Sequence, residues 1–414
     1  MKKTLLFLFS FLSAKGVIFL APLLLADILS NSDFGLLEYS LAGLGMLLNS
    51  IISLGVTGAY PYFILKEKRM DIKEGFAIHP IWLLLFFIGN NICYFIFQFY
   101  EIGVYMAVNI SYIIASQQFY ATIFKSDEKI NKAVFLDAGI YFFLFALVGL
   151  FYLKLIEVNI NLINSIFIVY AIILTFFGVL KFIKEKKTTI IKKYKEIISF
   201  GFHILISSFF LFFITVAGRI LTKYFFDYET TGVYGYYFRI SAVVVLLYQV
   251  VSIRYFKDLY VKSPDILDKY YSYFITLIFF LSIIVYFISP YIVPLFSDYF
   301  SETYQQNKLV FYIIFCQMTM WVASALNSSV VDREGLAKRN NFYFLILFII
   351  SILLFYLFKD NMSLVKLAFI IYTLHFLTNL SQIYTLKSKN IIFKKTFYAL
   401  TIIYTLTSIS IYLV

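Results

Sequence analysis

The chain has 414 residues, of which 62% are hydrophobic and only 14% are charged. Soluble domains average roughly 45 to 50% apolar and about 25% charged residues, so this composition excludes a soluble globular fold. The formal net charge of +12 does not indicate a nucleic-acid-binding protein, because the basic residues lie in short connections between apolar runs. We expect membrane lipids as surroundings, and neither a cofactor nor a metal site.

Apolar runs long enough to cross a bilayer recur along the whole chain, and they predict an all-α polytopic membrane protein with about 12 transmembrane helices. The first run follows Lys2 and Lys3 and continues to Leu25 without a good cleavage site, which favours an uncleaved span over a signal peptide. The last run, 393–414, either spans the membrane or lies in its interface. The twelve predicted spans are 4–26, 34–58, 77–98, 102–124, 133–153, 161–181, 197–221, 232–253, 270–290, 308–330, 341–358 and 364–386.

The lysines and arginines predict the orientation of these spans. With the N-terminus in the cytoplasm, 27 of the 35 basic residues fall in cytoplasmic segments and five on the opposite side. Basic residues are enriched in the cytoplasmic loops of membrane proteins, so a cytoplasmic N-terminus is expected.

The connection 181–195 contains seven lysines and divides the chain near its middle. It predicts a six-helix bundle at 1–183, a basic linker at 184–196, a second six-helix bundle at 197–390 and a C-terminal apolar segment at 391–414. An offset of 197 residues places Gly35 on Gly232, each expected to begin a span after a tight turn. Two halves with six crossings each form a parallel repeat, related by an axis along the membrane normal.

Three basic residues remain after those assigned to the connections, and they lie in or near predicted spans: Lys15, Arg219 and Arg239. A charge at the centre of a membrane helix costs about 2.5 to 3.5 kcal/mol on insertion scales, so it usually faces a bundle interior or a cavity. Arg219 shares a helix face with Ser208 and Thr215, which favours a polar lumen. The alternative is that Arg219 extends its charge to the membrane interface.

Polar stripes also occur in other spans. They include Asn49, Ser50, Ser53 and Thr57 in the second span, Gln317, Ser324 and Ser328 in the tenth, and His375, Thr378, Asn379 and Gln382 in the twelfth. Each stripe fits either hydrogen bonds between packed helices or the wall of a hydrated lumen. Asp137 in the fifth span is a candidate proton or cation site, or else a partner of Lys132.

Catalytic motifs are absent from the sequence. It contains no phosphate-binding loop, no H-E-x-x-H and no G-x-S-x-G, and Cys93 and Cys316 have no metal-ligand spacing. No predicted outer loop is large enough for an active site. We therefore expect a protein that is not an enzyme, with both cysteines as packing residues.

Two stretches resemble a known family. Lys15-Gly16, Asp33-Phe34-Gly35-Leu36-Leu37-Glu38-Tyr39 and Ser53-Leu54-Gly55-Val56 resemble the first hairpin of Wzx-type polysaccharide flippases, of the multidrug/oligosaccharidyl-lipid/polysaccharide exporter superfamily. Arg219-Ile220-Leu221-Thr222-Lys223 and Tyr237-Phe238-Arg239-Ile240 resemble the seventh and eighth spans. The family commonly has an aspartate before the first of these arginines, where this chain has Gly218, so an ion-pair partner is missing from the motif.

The resemblance implies two six-helix bundles around a central cavity in the inner membrane of a bacterium. The implied substrate is an undecaprenyl-pyrophosphate-linked O-antigen or capsule repeat unit, moved outward by alternating access, with other polysaccharide assembly proteins as partners. The expected substrate-binding residues are Lys15, Arg219, Arg239, Ser53, Thr215, Asn379 and Gln382, with Asp137 as the cation-coupling residue and Gly35 and Gly232 as turn residues. The alternatives are a cation-coupled multidrug exporter of the same superfamily and a polysaccharide polymerase.

Overall fold

The computed structural model describes residues 2–183, 190–254 and 262–411, and within these ranges the chain is helical without a strand. It divides into two units, Met1–Ile220 and Leu221–Val414, which we call unit 1 and unit 2. The division falls inside a helix rather than in the basic connection. Residues 184–189 of the predicted linker lie outside the described ranges, and 190–196 are helical.

Unit 1 contains nine complete α-helices and most of a tenth. They are α1 (Lys2–Ala26), α2 (Asn31–Glu38), α3 (Gly45–Ile52), α4 (Val56–Pro61), α5 (His79–Ile92), α6 (Ile102–Ser126), α7 (Ile130–Asp137), α8 (Gly139–Tyr152), α9 (Ile160–Ile183) and α10 (Ile190–Phe225). Wider π-helical turns join some of them, at Tyr39–Leu44, Tyr62–Lys66 and Cys93–Phe97, and a 3-10 segment, Met70–Ile78, precedes α5.

Unit 2 contains the remaining described α-helices. They are α11 (Tyr228–Ser241), α12 (Val245–Arg254), α13 (Pro264–Ile292), α14 (Asp298–Arg333), α15 (Ala337–Leu357), α16 (Leu364–Lys387) and α17 (Lys394–Ser410). Short 3-10 segments lie at Ala242–Val244, Val293–Leu295 and Lys359–Asn361.

Nine of the described helical segments are long and apolar enough to cross a membrane, and a bent pair, α7 and α8, makes ten if it counts as one span. The chain is therefore an all-α polytopic membrane protein. Each of the twelve predicted spans lies largely on helical residues, but α6 and α10 are not among the nine. Helix α6 lies at the centre of unit 1 against α3, α5, α7 and α9, so its surface faces protein rather than lipid. A central helix can carry polar residues that a lipid-facing helix cannot.

The second predicted span is broken near its end. Ser53 closes α3, and Gly55 adopts the left-handed conformation with φ of 67° before α4 begins. Here the backbone touches α10, because a Cβ atom built on Gly55 would lie 2.1 Å from the carbonyl oxygen of Gly201. Only glycine fits both requirements of this position, a positive φ and no side chain.

The N-terminal part of α10 belongs to the core of unit 1. Tyr194 and Ile197 pack with Val56, Tyr60 and other buried residues of the α4 region. This packing explains why the unit boundary lies far along α10 and not at the run of lysines.

Helices α2 and α11 begin with matching side-chain caps. Ser30 caps α2 by accepting a hydrogen bond from the amide of Asp33, and Asp227 caps α11 by accepting one from Thr230. These caps are separated by the predicted offset of 197 residues. Gly35 and Gly232 require a correction, because each lies inside its helix and neither has a positive φ. The side-chain caps, not the glycines, form the two turns.

The C-terminal segment is an integral part of unit 2, and α17 packs against α13. The carboxylate of Asp268 accepts hydrogen bonds from the amides of Lys395 at 2.9 Å and Thr396 at 2.8 Å. Free amides at a helix start need an acceptor, and Asp268 supplies it from another helix. Further along α17, Tyr404 stacks on Phe376 with ring centroids 4.2 Å apart.

Candidate functional site

Arg219 lies in a buried ion pair. Its Nε donates to Oε2 of Glu38 at 2.9 Å, and the two residues are 4% and 0% exposed. Glu38 is the last residue of α2, so a helix of the first predicted hairpin supplies the carboxylate that the sequence lacks at Gly218. The two charges compensate each other, and Arg219 does not add a net positive charge to its surroundings.

A close approach of backbones brings Glu38 and Arg219 together. A Cβ atom built on Gly43, in the π-helical turn after α2, would lie 3.1 Å from the Cβ of Arg219. The absence of a side chain at Gly43 therefore allows α10 to lie against this turn. Removing one member of a buried ion pair leaves an uncompensated charge, which typically costs about 3 to 5 kcal/mol.

A separate polar cavity of about 530 Å³ lies within unit 1. Its charged lining residues are Lys15 from α1, Lys125 from α6 and Asp137 from α7. Nζ of Lys125 donates to Oδ2 of Asp137 at 2.7 Å, so the partner of Asp137 is Lys125 and not Lys132. The ammonium of Lys15 lies 5.7 Å from the ring centre of Phe11. The structure thus brings two predicted site residues, Lys15 and Asp137, to one cavity.

Neutral polar groups complete the wall of this cavity. They are Thr57, Gln117, Gln118, Thr122 and Tyr141. Oε1 of Gln118 accepts a hydrogen bond from Asn49 at 3.1 Å, and Nε2 of Gln117 donates to the hydroxyl of Tyr170 at 3.1 Å. These bonds orient both amides. The wall therefore combines charges with hydroxyl and amide groups, which can bind a polar solute by hydrogen bonds.

The predicted residues of the twelfth span lie in a helix interface of unit 2. Asn379 accepts from Asn327 and donates to the carbonyl of Met320, at 3.0 and 2.9 Å. Gln382 donates to the hydroxyl of Ser328 at 2.8 Å. The polar stripes of α14 and α16 therefore face each other, and Asn379 and Gln382 hold two helices together.

The remaining predicted residues lie apart from the cavity. Ser53 is buried, and its hydroxyl donates to the carbonyl of Ser50. Arg239 is buried on α11 of unit 2. The side chain of Thr215 lies outside the described residues. Cys93 and Cys316 are free cysteines, and no group of His, Cys, Asp or Glu side chains in the described ranges could hold a metal ion.

The sequence interpretation missed Glu38 and Lys125. Glu38 is the only acidic residue in the predicted span 34–58, and an acidic residue within a span is itself a signal for a buried partner or a polar site. Lys125 falls just outside the predicted span 102–124, so it was assigned to a cytoplasmic connection. The structure extends this helix to Ser126 and directs Lys125 to the cavity.

Comparison with known proteins identifies no relative of this chain: no family model, no curated protein and no solved structure matches it.

Proposed function

We propose that this chain is a flippase for lipid-linked oligosaccharides, built from twelve membrane helices in two six-helix bundles. It moves an undecaprenyl-pyrophosphate-linked repeat unit of O-antigen or capsule across the inner membrane of a bacterium, with its own N-terminus in the cytoplasm. The chain changes the location of its substrate and catalyses no chemical step. The motifs that resemble Wzx-type flippases support this proposal.

The observation that carries the proposal is the cavity of unit 1, in which Lys15, Lys125 and Asp137 lie among helices of a membrane protein. Hydrated sugars and phosphates cannot enter hydrocarbon cheaply, because each polar group loses its hydrogen bonds to water. A carrier must replace that water with polar side chains of its own. Thr57, Gln117 and Gln118 supply such groups in this cavity.

The charge of the cavity argues against the alternative of a cation-coupled multidrug exporter. Cationic drugs need an excess of negative charge, but the described lining contains two lysines and one aspartate. The carboxylate of Asp137 is moreover engaged by Lys125. An anionic or neutral polar substrate fits this balance better.

Deletion and complementation test the proposal. A bacterium that lacks the gene for this chain should lose a surface glycan and accumulate the matching lipid-linked repeat unit on the inner side of its membrane. Wild-type protein should restore glycan display, and an equally abundant Lys15→Glu variant should not, because it reverses the charge of the cavity. Normal glycan display in the deletion strain, without accumulation of the repeat unit, would refute the proposal. Adjacent glycosyltransferase genes would support it independently.

Reporter fusions test the proposed orientation separately. A reporter fused after Lys187 should lie in the cytoplasm, and one fused after Asp298 should lie on the outer side. The same side for both would contradict the arrangement of the twelve spans.

A further inference from the structure

The cavity of unit 1 carries an excess of one positive charge. Its described lining contains the ammonium groups of Lys15 and Lys125 against the single carboxylate of Asp137. The charges of Lys125 and Asp137 compensate each other in a salt bridge. The remaining positive charge of the cavity is that of Lys15. A ligand with one negative charge would bring the cavity to neutrality.

The charged residues differ in depth. The side chains of Lys125 and Asp137 are 52% and 33% exposed, so their salt bridge lies at an accessible edge of the cavity. Lys15 lies on the middle part of α1 and is half-buried. An anion that enters past Lys125 therefore finds Lys15 in a less hydrated position, where a charged hydrogen bond is stronger.

The neutral part of the lining points to a carbohydrate. Two amides and three hydroxyls, from Gln117, Gln118, Thr57, Thr122 and Tyr141, can bond to sugar hydroxyls. Apolar side chains face the same space and suit the C–H surfaces of a sugar ring; they are Ile18, Met46, Ile114 and Ile140. The volume of about 530 Å³ lies within the range of roughly 300 to 1,000 Å³ that is common for small-ligand sites.

We propose that this cavity is a binding site for an acidic sugar, a pyranose with one carboxylate, in the oligosaccharide that the chain transports. Lys15 binds the carboxylate of the sugar, and the amides of Gln117 and Gln118 bind its hydroxyls. This inference rests on the proposed function, because the sugar is taken to be part of the transported oligosaccharide. It adds to that function the chemical class of one sugar in the repeat unit.

In this site Asp137 acts as an internal competitor. Its carboxylate holds Lys125 at 2.7 Å. A bound sugar carboxylate competes with Asp137 for Lys125 and is repelled by it. Removing the charge of Asp137 should therefore strengthen binding, whereas removing the charge of Lys15 should weaken it. This opposite response of two neighbours distinguishes an anion site from a site that is merely damaged by substitution.

The test measures binding directly, independently of transport. The full-length protein in lipid nanodiscs is titrated with D-glucuronate, and with D-glucose as the uncharged match, at constant ionic strength by isothermal titration calorimetry. Glucuronate should bind more tightly than glucose. Lys15→Gln should lower glucuronate affinity about tenfold or more, because it removes a hydrogen bond to a charged group. Asp137→Asn should raise it, and Lys15→Arg should retain most of it.

Lys132→Gln is the matched control. Lys132 is an exposed lysine on the same helix as Asp137, but it does not line the cavity, so its loss should leave glucuronate affinity unchanged. Thermal unfolding of each variant verifies that it is folded. The gain of affinity in Asp137→Asn cannot result from misfolding.

Four results would decide against the site or against the proposed flippase function. Equal affinity for glucose and glucuronate, or unchanged glucuronate affinity in Lys15→Gln, would overturn the acidic-sugar site. Absence of glucuronate binding, in a chain whose deletion still abolishes glycan display, would overturn the site and leave the proposed flippase function intact. Glucuronate binding in a chain whose deletion changes no glycan would overturn the flippase function and leave an anion site.

Discussion

Two groups of polar side chains, one in each unit, serve different purposes. In unit 1 charged side chains form the buried pair of Glu38 and Arg219 or line the cavity around Lys15. In unit 2 the amides of Asn379 and Gln382 bond to the facing helix α14. In the sequence, Arg219 and the two amides of unit 2 alike lie on polar stripes of their helices. The difference shows that a stripe identifies a face turned away from lipid and does not say whether that face meets a cavity or another helix.

The largest effect should come from the buried ion pair of unit 1. Glu38→Gln or Arg219→Gln alone leaves a buried charge uncompensated and should lower the free energy of unfolding by about 3 to 5 kcal/mol. The double variant should lose less than the sum of the two single losses, because neither charge remains. Denaturant unfolding of the purified protein in detergent measures all three values.

The exposed pair of Lys125 and Asp137 provides the control for this cycle. Exposed ion pairs contribute only about 0 to 1 kcal/mol, so Asp137→Asn should change the stability by no more than this. Equal losses in Glu38→Gln and Asp137→Asn would remove the distinction between a structural pair and a cavity pair in unit 1.

The next effect concerns the backbone contact between α10 and the α3–α4 break. A Cβ atom built on Gly201 would lie 2.5 Å from the carbonyl oxygen of Leu54. Gly201→Ala should therefore destabilise the protein by about 1 to 3 kcal/mol, the usual cost of overpacking. The thermal unfolding midpoint of the Gly201→Ala variant should lie well below that of the wild type.

Gly149→Ala is the matched substitution for Gly201→Ala. Gly149 also lies inside a helix, but a Cβ atom there meets nothing within 4 Å. Alanine should be neutral or stabilising at this position by about 0.5 to 1 kcal/mol, because glycine is a poor helix former. If both substitutions lowered the midpoint equally, the helices would not be in backbone contact at Gly201.

A smaller effect is expected in unit 2, at the cap of α17. Asp268→Ala removes the acceptor for the amides of Lys395 and Thr396 and should cost about 0.5 to 2 kcal/mol, as the loss of a helix cap does. Hydrogen exchange should then increase in the first turn of α17 and remain unchanged in unit 1. Unchanged protection of Lys395 and Thr396 would mean that the terminal helix does not depend on Asp268.

The smallest effect should come from the amides of unit 2. Hydrogen bonds between membrane helices contribute about 0.6 kcal/mol on average, so Asn379→Ala should reduce the stability by an amount of this order. It should not change the affinity for glucuronate, because Asn379 does not line the cavity. A large loss of glucuronate affinity in Asn379→Ala would contradict the assignment of this amide to helix packing.

Composition and hydrophobic pattern were sufficient to predict the membrane class and the helical content. These features depend on residues close together in the chain, since a run of apolar side chains must leave water wherever the rest of the protein lies. At the predicted offset, Ser30 and Asp227 cap α2 and α11 by contacts within a single turn, which are also local in sequence. Gly35 and Gly232 lie inside these helices without a positive φ, so the turns before α2 and α11 do not need a left-handed glycine there.

Only the tertiary structure decided which charges meet. The pairing of Arg219 with Glu38, and the choice of Lys125 over Lys132 as the partner of Asp137, depend on how neighbouring helices are rotated about their axes. Helical periodicity places a residue on a face, but packing between distant segments determines what that face touches. For the same reason the cavity around Lys15 could not be derived from the sequence, because α1 lies far along the chain from α6 and α7, the consecutive helices that supply the rest of its charged wall.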